Sequence, residues 1–261
     1  GGPNHDVSPE LIRKVAGMFA EATRKRLARS KGKHAEEGYG GVIIMWGIGY
    51  NQHIHGQHNT ISIINLLTLT GNLAKPGGGP FALTGQPNAM GGREVGGLSN
   101  QLAAHMAIEN PQHQSLVQEF WQSPYIASNE GKKAVDLFQA VHDGKIKALW
   151  IMATNPAVSM PDSLFVQKAL KNCEFVVVSD CVRTTDTTAY ADVLLPSQTW
   201  GERDGTVTNS ERRISRQRSF LPVPADVKAD WWIITEVARR MGFADRFQYK
   251  EAAEGFKEHA Q

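Results

Sequence analysis

The spacing of apolar residues changes from segment to segment along this chain, and it predicts both helices and strands. Apolar residues three to four positions apart predict amphipathic helices, and short continuous apolar runs predict buried strands. The predicted strands cover residues 41–46, 147–154, 174–179 and 192–195. The predicted helices cover residues 7–28, 59–70, 130–141, 162–171 and 230–241, and a further helix opens at residues 110–111.

Residues that begin and end helices support these boundaries. Ser8 and Pro9 suit the cap and first position of the first helix, Asn110 and Pro111 suit those of a later one, and Asp230 is expected to cap the last. Glycines that can end a helix follow at Gly71, Gly144 and Gly242. The faces expected to be buried are Leu11, Val15, Met18, Phe19 and Ala22 in the first helix and Trp231, Ile234, Val237, Ala238 and Met241 in the last.

The order strand, helix, strand over residues 147–179 predicts a βαβ unit with parallel strands. Ligands of such sheets bind beyond the carboxyl ends of the strands. Asn155, Ser179 and Asp180 occupy those ends, and an acid there can accept hydrogen bonds from ribose hydroxyls. Because Asn and Asp are also common turn residues, a nucleotide site and a plain turn are both open at this point.

One glycine-dense stretch, Gly71 to Gly97, holds nine of the 25 glycines of the chain. Glycine lets other groups approach the main chain closely, and a long ordered loop usually has a function. Apolar residues inside the stretch favour a packed loop over a flexible linker. Its peptide N–H groups and the guanidinium of Arg93 suit an anion or a large polar cofactor.

The segment after the first strand offers two further candidates. Gly47 and Gly49 form an incomplete GxG pattern, and the missing third glycine argues against a nicotinamide dehydrogenase. His53, His55 and His58 crowd the same loop. Zinc usually takes four ligands and none completes this set, so ordinary hydrogen bonding by histidine is the favoured interpretation and no metal ligand is assigned.

Composition and charge exclude several classes of protein. The 261 residues carry a net charge of +2, which argues against a dedicated nucleic-acid binder; for the basic run from Arg24 to Lys33 a solvated helix end is favoured over a nucleic-acid or targeting patch. No apolar run reaches membrane-spanning length. Two cysteines, Cys173 and Cys181, form no CxxC motif or disulfide framework and are typical of a reducing cytoplasm.

Residues 197–218 form an arginine-rich segment with glycine punctuation, which predicts an irregular hairpin. Its arginines are Arg203, Arg212, Arg213, Arg216 and Arg218. Guanidinium groups of this kind bind phosphate, but they are equally suited to a solvated or partner-facing surface.

Five motifs in unbroken order resemble the molybdopterin oxidoreductases of the dimethyl-sulfoxide-reductase type. Among these, the chain is most similar to the catalytic subunit of bacterial assimilatory nitrate reductase; periplasmic nitrate reductase and formate dehydrogenase share most motifs more loosely. The motifs are WGIGYNQH (46–53), LTGNLAKPGGGPFALTGQPNAMGGREVGG (69–97), ATNPAVSMPD (153–162), ADVLLPSQTWGERDGTVTNSERRISRQR (191–218) and KADWW (228–232).

The resemblance implies an enzyme that reduces nitrate to nitrite at molybdenum held by two molybdopterin guanine dinucleotides, with electrons arriving through a 4Fe-4S cluster. It implies that Gln86 and Arg93 line the substrate funnel as catalytic residues. It also implies an electron donor protein or subunit as partner. The positions that match cofactor-binding residues are Ile48, Gln52, Asn155, Ser179, Asp180, Arg203 and Asp230.

The resemblance also implies a domain layout and a fold class. We expect an α/β fold, a mostly parallel sheet flanked by helices as in dinucleotide-binding folds, with an irregular β excursion near residues 197–225 toward an iron–sulfur domain. The cofactor-binding domain is expected over residues 40–196 and 226–243. An N-terminal helix and basic loop (1–39) and a C-terminal tail (244–261) flank it.

Neither cysteine lies in a matching cluster motif, and the start Gly-Gly-Pro-Asn lacks a methionine. We therefore interpret the sequence as a central fragment of the enzyme that is inactive alone. The alternatives are a fragment of a periplasmic-type nitrate reductase or of a formate dehydrogenase, or a nucleotide-binding module without catalysis.

Overall fold

A computed structural model describes residues 7–29, 41–53 and 55–261 of the chain. The chain divides into two compact units between Pro87 and Asn88. Part of the basic run, including Lys31 and Lys33, lies outside the described residues. In the part of the chain that the structure describes, no helix combines the length and the apolar character needed to cross a membrane.

In its described residues, the first unit contains two α-helices, a short 3-10 helix (Ile48–Tyr50) and two parallel strands. The strand β1 pairs with β2 over five residues, from Ile43 opposite Gly79 to Gly47 opposite Leu83. The second strand was not predicted, because it lies inside the glycine-dense stretch. The elements are α1 (Pro9–Arg29), β1 (Ile43–Gly47), α2 (Gly56–Leu69) and β2 (Gly79–Leu83).

The expected burial of the first unit's apolar faces is wrong. β1 alternates between exposed and half-buried residues, and Met45 is 60% exposed. On α1 the side chains of Leu11, Val15 and Met18 are exposed too. A continuous apolar run predicted a strand covered on both faces, but among the described residues this two-stranded ribbon has one face without cover.

A buried amide, that of Asn72, holds the first unit together from inside. Its side chain is fully buried and its Oδ1 accepts the Val42 N–H at 3.1 Å. Its Nδ2 donates to Thr23 Oγ1 of α1 at 2.9 Å and to Thr70 Oγ1 at 2.9 Å. A Cβ at Gly78 would lie 2.8 Å from the Asn72 carbonyl oxygen. The glycine at position 78 is therefore needed for close approach to this residue.

The second unit contains the remaining elements, and most predicted boundaries agree with them. The helix at residues 110–111 begins as expected, with Asn110 Oδ1 accepting the Gln112 N–H at 2.9 Å. The helices are α3 (Ala89–Glu94), α4 (Pro111–Trp121), α5 (Ala134–His142), α6 (Pro156–Ser159), α7 (Ser163–Asn172), α8 (Asp230–Ala238) and α9 (Ala252–His259). The strands are β3 (Ala148–Met152), β4 (Phe175–Asp180), β5 (Val193–Pro196), β6 (Gly205–Thr208) and β7 (Ile214–Gln217).

A three-stranded parallel sheet in the order β3-β4-β5 forms the centre of the second unit. Ile151 pairs with Val178, and Val178 pairs with Leu194. Helices α5 and α7 pack together, and their buried side chains share one apolar cluster with β3 and β4. The predicted α/β class with a mostly parallel sheet is confirmed, and so is the predicted parallel βαβ unit.

The glycine-dense stretch is not one long loop, which corrects the sequence interpretation. It contains β2 and the short helix α3. The arginine-rich segment forms the predicted hairpin: β6 and β7 are antiparallel, with Gly205 opposite Gln217 and Thr208 opposite Ile214. Helix α3 packs against β6.

The last predicted helix differs from expectation in its cap and its buried face. Ala229, not Asp230, is the residue before the helix, and no side chain caps it. Ile233 and Thr235 are buried, whereas Ile234 and Met241 of the predicted face are exposed. The carboxylate of Asp230 is engaged by an arginine, Arg203, instead of by the helix's own N–H groups.

Candidate functional site

The carboxyl ends of the three parallel strands meet at one edge of the second unit's sheet. Met152 is opposite Ser179, and Asp180 is opposite Pro196. The Ala153 N–H donates to Ser179 O at 2.9 Å, and the Ser197 N–H donates to Asp180 O at 3.0 Å. The residues that follow β3, β4 and β5 are therefore held side by side, and we call this edge the strand-end edge.

A fourth segment extends the strand-end edge beyond β5. Lys228 forms a parallel bridge with Ser197, and its N–H donates to Pro196 O at 3.1 Å. Two residues later, Asp230 Oδ2 forms an ion pair with Arg203 Nη1 at 3.2 Å. This contact brings together two side chains that are 27 residues apart in sequence.

Internal hydrogen bonds fix the side chains of this edge. Asn155 Oδ1 accepts from the Thr187 hydroxyl at 2.6 Å and from the Thr187 N–H at 3.2 Å. Asp180 Oδ1 accepts the Val182 N–H at 2.9 Å. Ser179 is fully buried, and its hydroxyl accepts Trp150 Nε1–H at 2.8 Å. Asn155 and Asp180 are half-buried, so both keep polar atoms within reach of a ligand.

Charges of both signs act at the strand-end edge. Partial burial of the thiol raises the pKa of Cys181, and the negative charge of Asp180 raises it further. The positive charge of Arg203 acts on the Cys181 pKa in the opposite direction. The Cys181 thiol therefore feels both the Asp180 carboxylate and the Arg203 guanidinium.

Two buried oxygen atoms at this edge have no hydrogen-bond partner among the described residues. They are Asp230 Oδ1 and Ser197 Oγ. Buried polar atoms are nearly always paired, so each unpaired atom calls for an explanation, and an ordered water, an ion or a functional role are the common ones. An unpaired carboxylate oxygen is suited to an N–H or O–H donor.

Arg93 lies on α3, and the helix is fastened to the hairpin on both sides of it. The Arg93 side chain is exposed. Its neighbour Glu94 accepts Thr208 Oγ1–H at 2.9 Å and Arg212 Nε–H at 2.9 Å. The Asn88 Oδ1 accepts the Thr208 N–H at 2.9 Å. The Thr208 hydroxyl, and then Arg212, lower the pKa of Glu94, so its carboxylate is charged at neutral pH.

The cleft beside α3 has a volume of about 610 Å³. Its walls come from α3, the β6–β7 hairpin and α9. The polar side chains on it include Glu94, Asp204 and Arg216, and the apolar ones include Val95 and Phe256.

Three further predicted site residues lie in the first unit. Ile48 follows β1 directly and is half-buried, and Gln52 is exposed, with its N–H donating to Ile48 O at 2.8 Å. Gln86 is exposed. His53 Nε2 lies 3.0 Å from Asn59 Nδ2. Among the described residues, no group of three or more His, Cys, Asp and Glu is arranged to hold a metal ion.

Sequence reasoning missed the residues that fix the site from a distance. Thr187 is 32 residues from Asn155, and Thr208 is 114 residues from Glu94. Ser and Thr give no signal of their own in sequence, because the same residue types serve in caps and turns throughout a chain.

Comparison with known proteins identifies the family. A family model described as molybdopterin oxidoreductase matches residues 14–240. The chain is 50% identical over 219 residues to the nitrate reductase of Klebsiella oxytoca, covering 84% of this chain and 25% of that protein. It is 35% identical over 251 residues to the assimilatory nitrate reductase catalytic subunit of Bacillus subtilis, covering 95% of this chain and 32% of that protein.

A third relative carries a different name. It is the F420-dependent formate dehydrogenase subunit alpha of Methanocaldococcus jannaschii, which is 37% identical over 252 residues, 96% of this chain and 36% of that protein. The chain thus spans about a quarter to a third of the length of these curated relatives. The family match extends over most of the chain and across both units, and it confirms the resemblance drawn from the motifs: the chain belongs to the molybdopterin oxidoreductase family.

Proposed function

We propose that this chain is part of a molybdenum enzyme that reduces nitrate to nitrite. The observation that carries the proposal is the strand-end edge, where Asn155, Asp180, Arg203 and Asp230 are brought together from four separate segments. The names of the relatives support nitrate as the substrate. The activity belongs to the longer enzyme, and this chain supplies part of the cofactor site and of the substrate funnel.

The polar atoms of the strand-end edge fit the nucleotide part of a molybdopterin guanine dinucleotide. Asp230 Oδ1 is buried without a partner among the described residues and would accept an N–H or O–H group of the nucleotide. The amide of Asn155 is held by Thr187 at its oxygen, so its Nδ2 is the atom directed to a ligand. Arg203 would meet phosphate oxygens with its planar fork of donors.

Three other predicted residues have supporting parts in this proposal. Ser179 accepts the Trp150 Nε1–H with its hydroxyl oxygen, and its hydroxyl hydrogen can still donate a hydrogen bond to the cofactor. Ile48 and Gln52, in the turn after β1, would contact a second portion of the cofactor with main-chain and amide groups.

The chemistry of reduction comes from the cofactor, whose molybdenum supplies the electron pair when it is bound. The chain's own contribution is to bind and orient. Arg93 is exposed on α3, and its guanidinium would attract the planar nitrate anion and fix its orientation through paired N–H donors. The amide of Gln86 would donate a further hydrogen bond. A 4Fe-4S cluster needs four cysteine ligands as a rule, and the two cysteines of this sequence cannot supply them.

The substitution Arg93→Lys in the full-length enzyme tests the substrate assignment. Lysine keeps the charge but loses the planar fork, so we expect a loss of about 1.5–3 kcal/mol of transition-state binding. This equals a fall of roughly ten- to hundredfold in kcat/KM for nitrate, with molybdenum content unchanged. Arg213→Lys is the matched control, since Arg213 is an exposed arginine of the hairpin. Wild-type activity in Arg93→Lys, or loss of its molybdenum, contradicts the assignment.

Formate oxidation is the second candidate, because one relative at 37% identity is named a formate dehydrogenase subunit. The higher identity of 50% to a nitrate reductase favours nitrate. Assays of the same enzyme preparation with nitrate plus a reduced viologen, and with formate plus an oxidised one, separate the two candidates. Turnover of formate without turnover of nitrate rejects the nitrate proposal and keeps the family.

A further inference from the structure

Ser197 lies at the strand-end edge without a known role. It follows β5 directly and is only 6% exposed. Its main chain is tied on both sides, because its N–H donates to Asp180 O at 3.0 Å and it forms a bridge with Lys228. Its hydroxyl oxygen is buried and has no hydrogen-bond partner among the described residues.

Other buried hydroxyl groups near this edge are paired. The Ser179 hydroxyl accepts from Trp150, and the Thr187 hydroxyl donates to Asn155 and accepts the Ala157 N–H. A buried hydroxyl without a partner lowers the stability of the fold, whereas an apolar atom in its place does not. The hydroxyl of Ser197 therefore gains a hydrogen bond only from a partner outside the described protein groups, which is an ordered water or a ligand.

The second unpaired atom of the edge belongs to Asp230. Asp230 is two residues past Lys228, the bridge partner of Ser197, and its Oδ1 is buried without a partner in the described part of the chain. A carboxylate oxygen only accepts hydrogen bonds, while a serine hydroxyl can also donate one. Together they suit a ligand group that offers a donor beside an acceptor, as the polar edges of nucleosides do.

We propose that Ser197 is a further binding residue, which donates its hydroxyl hydrogen to the nucleotide portion of the cofactor beside Asp230. This inference rests on the proposed function, since it takes its ligand from there. It adds a cofactor-binding residue to that function. The burial of Ser197 and its unpaired hydroxyl are the observations that indicate this role.

The test uses Ser197→Ala in the full-length enzyme, prepared with cofactor and, from a host blocked in cofactor synthesis, without it. For the loaded enzyme we expect guanine nucleotide and molybdenum to be lost about three- to tenfold faster in mild denaturant, the loss of one net hydrogen bond. For the cofactor-free enzyme we expect an unchanged or higher Tm, because alanine removes an unpaired hydroxyl. A purely structural residue would instead lower the Tm of the cofactor-free enzyme, so the two measurements together separate the two roles.

The matched control is Ser179→Ala, which removes a buried hydroxyl that already has a protein partner. It should lower the Tm of the cofactor-free enzyme. Unchanged cofactor loss in Ser197→Ala overturns the inference, and so does a Tm lowered as far as in Ser179→Ala. If the wild-type enzyme contains no guanine nucleotide, the proposed function is wrong as well. If the wild type contains the nucleotide and Ser197→Ala loses it no faster, only this inference is wrong.

Discussion

The first unit and the sheet of the second unit are both βαβ arrangements, yet different interactions hold them together. In the second unit, apolar side chains of α5, α7, β3 and β4 form one buried cluster. In the first unit, the fully buried polar side chain of Asn72 joins α1, the start of β1 and the end of α2. Apolar side chains on the outer face of its β1–β2 ribbon, such as Met45 and Phe81, stay exposed.

The difference teaches how much a parallel sheet depends on a well-buried apolar face. Parallel sheets are normally buried on both faces. Val176 and Val178 point to one face of the sheet β3-β4-β5 and are fully buried there against the helices, whereas the β1–β2 ribbon has no β1 residue buried to that degree. Its order therefore depends on directed hydrogen bonds more than on buried area.

The largest expected effect comes from the apolar cluster of the second unit. Leu170 of α7 is 1% exposed, and Leu170→Ala should lower the free energy of unfolding by about 2–5 kcal/mol, through lost burial and a residual cavity. Hydrogen exchange of the β4 amides measures this loss. The control Leu69→Ala changes a side chain that is 86% exposed, and it should stay within about 0.5 kcal/mol. If Leu170→Ala and Leu69→Ala lowered the free energy of unfolding equally, buried apolar contacts would not be what stabilises the second unit.

The next effect tests the polar anchor of the first unit. Asn72→Ala leaves the Val42 N–H without its acceptor and should cost about 1–3 kcal/mol for that unpaired group. The amides of β1 should then exchange faster while those of β4 keep their protection. Asn65→Ala, at an exposed position of the preceding helix α2, is the control. Unaltered exchange in β1 would show that the buried amide is not the anchor.

A smaller effect is expected at the hairpin, which an ion pair between the half-buried Glu94 and the exposed Arg212 fastens to α3. Glu94→Gln removes the charge that binds Arg212 Nε at 2.9 Å but keeps an acceptor for Thr208. We expect faster exchange of the β6 and β7 amides than in the wild type, with β4 unaffected. The control Glu211→Gln changes an exposed hairpin carboxylate that does not lie at α3. If Glu94→Gln matched this control, the hairpin would be held by its main-chain contacts alone.

The smallest effect is the pH dependence of the same contact. The pKa of Glu94 is lowered from 4.5 in the folded protein, first by the Thr208 hydroxyl and then by Arg212. A lowered pKa gives a stabilising contribution that is present above pH 4.5 and is lost as the pH falls through the lower, folded-state pKa. The rate of amide hydrogen exchange in β6 and β7, corrected for the intrinsic pH dependence of exchange, should rise only as the pH falls below 4.5. A hairpin whose protection instead fell toward alkaline pH would contradict this assignment.

Much of the strand-end edge was predictable, and its particular contacts show why the rest was not. Asn155 and Asp180 follow directly after apolar runs, so the parallel βαβ pattern alone places them at one edge. The cap at Asp230 was predicted wrongly, because a local rule took no account of Arg203, which is 27 residues away. The buried face of α8 was also predicted wrongly. The spacing of apolar residues within the helix did not show that Ile233 and Thr235 are the buried residues, because burial depends on the segments packed around the helix.

The sequence by itself determined most helices and strands of the second unit, though not α3, α6 or α9, as well as the parallel order of β3 and β4 and the family. These follow from local spacing, from cap and stop residues and from motifs that are continuous in the chain. Only the tertiary structure decided that Asn72 anchors the first unit, that Glu94 fastens α3 to the hairpin, and that Ser197 and Asp230 carry unpaired oxygens at one edge. Hydrogen-bond partners and burial depend on residues far apart in sequence, and a side chain's own identity does not reveal which distant group will reach it.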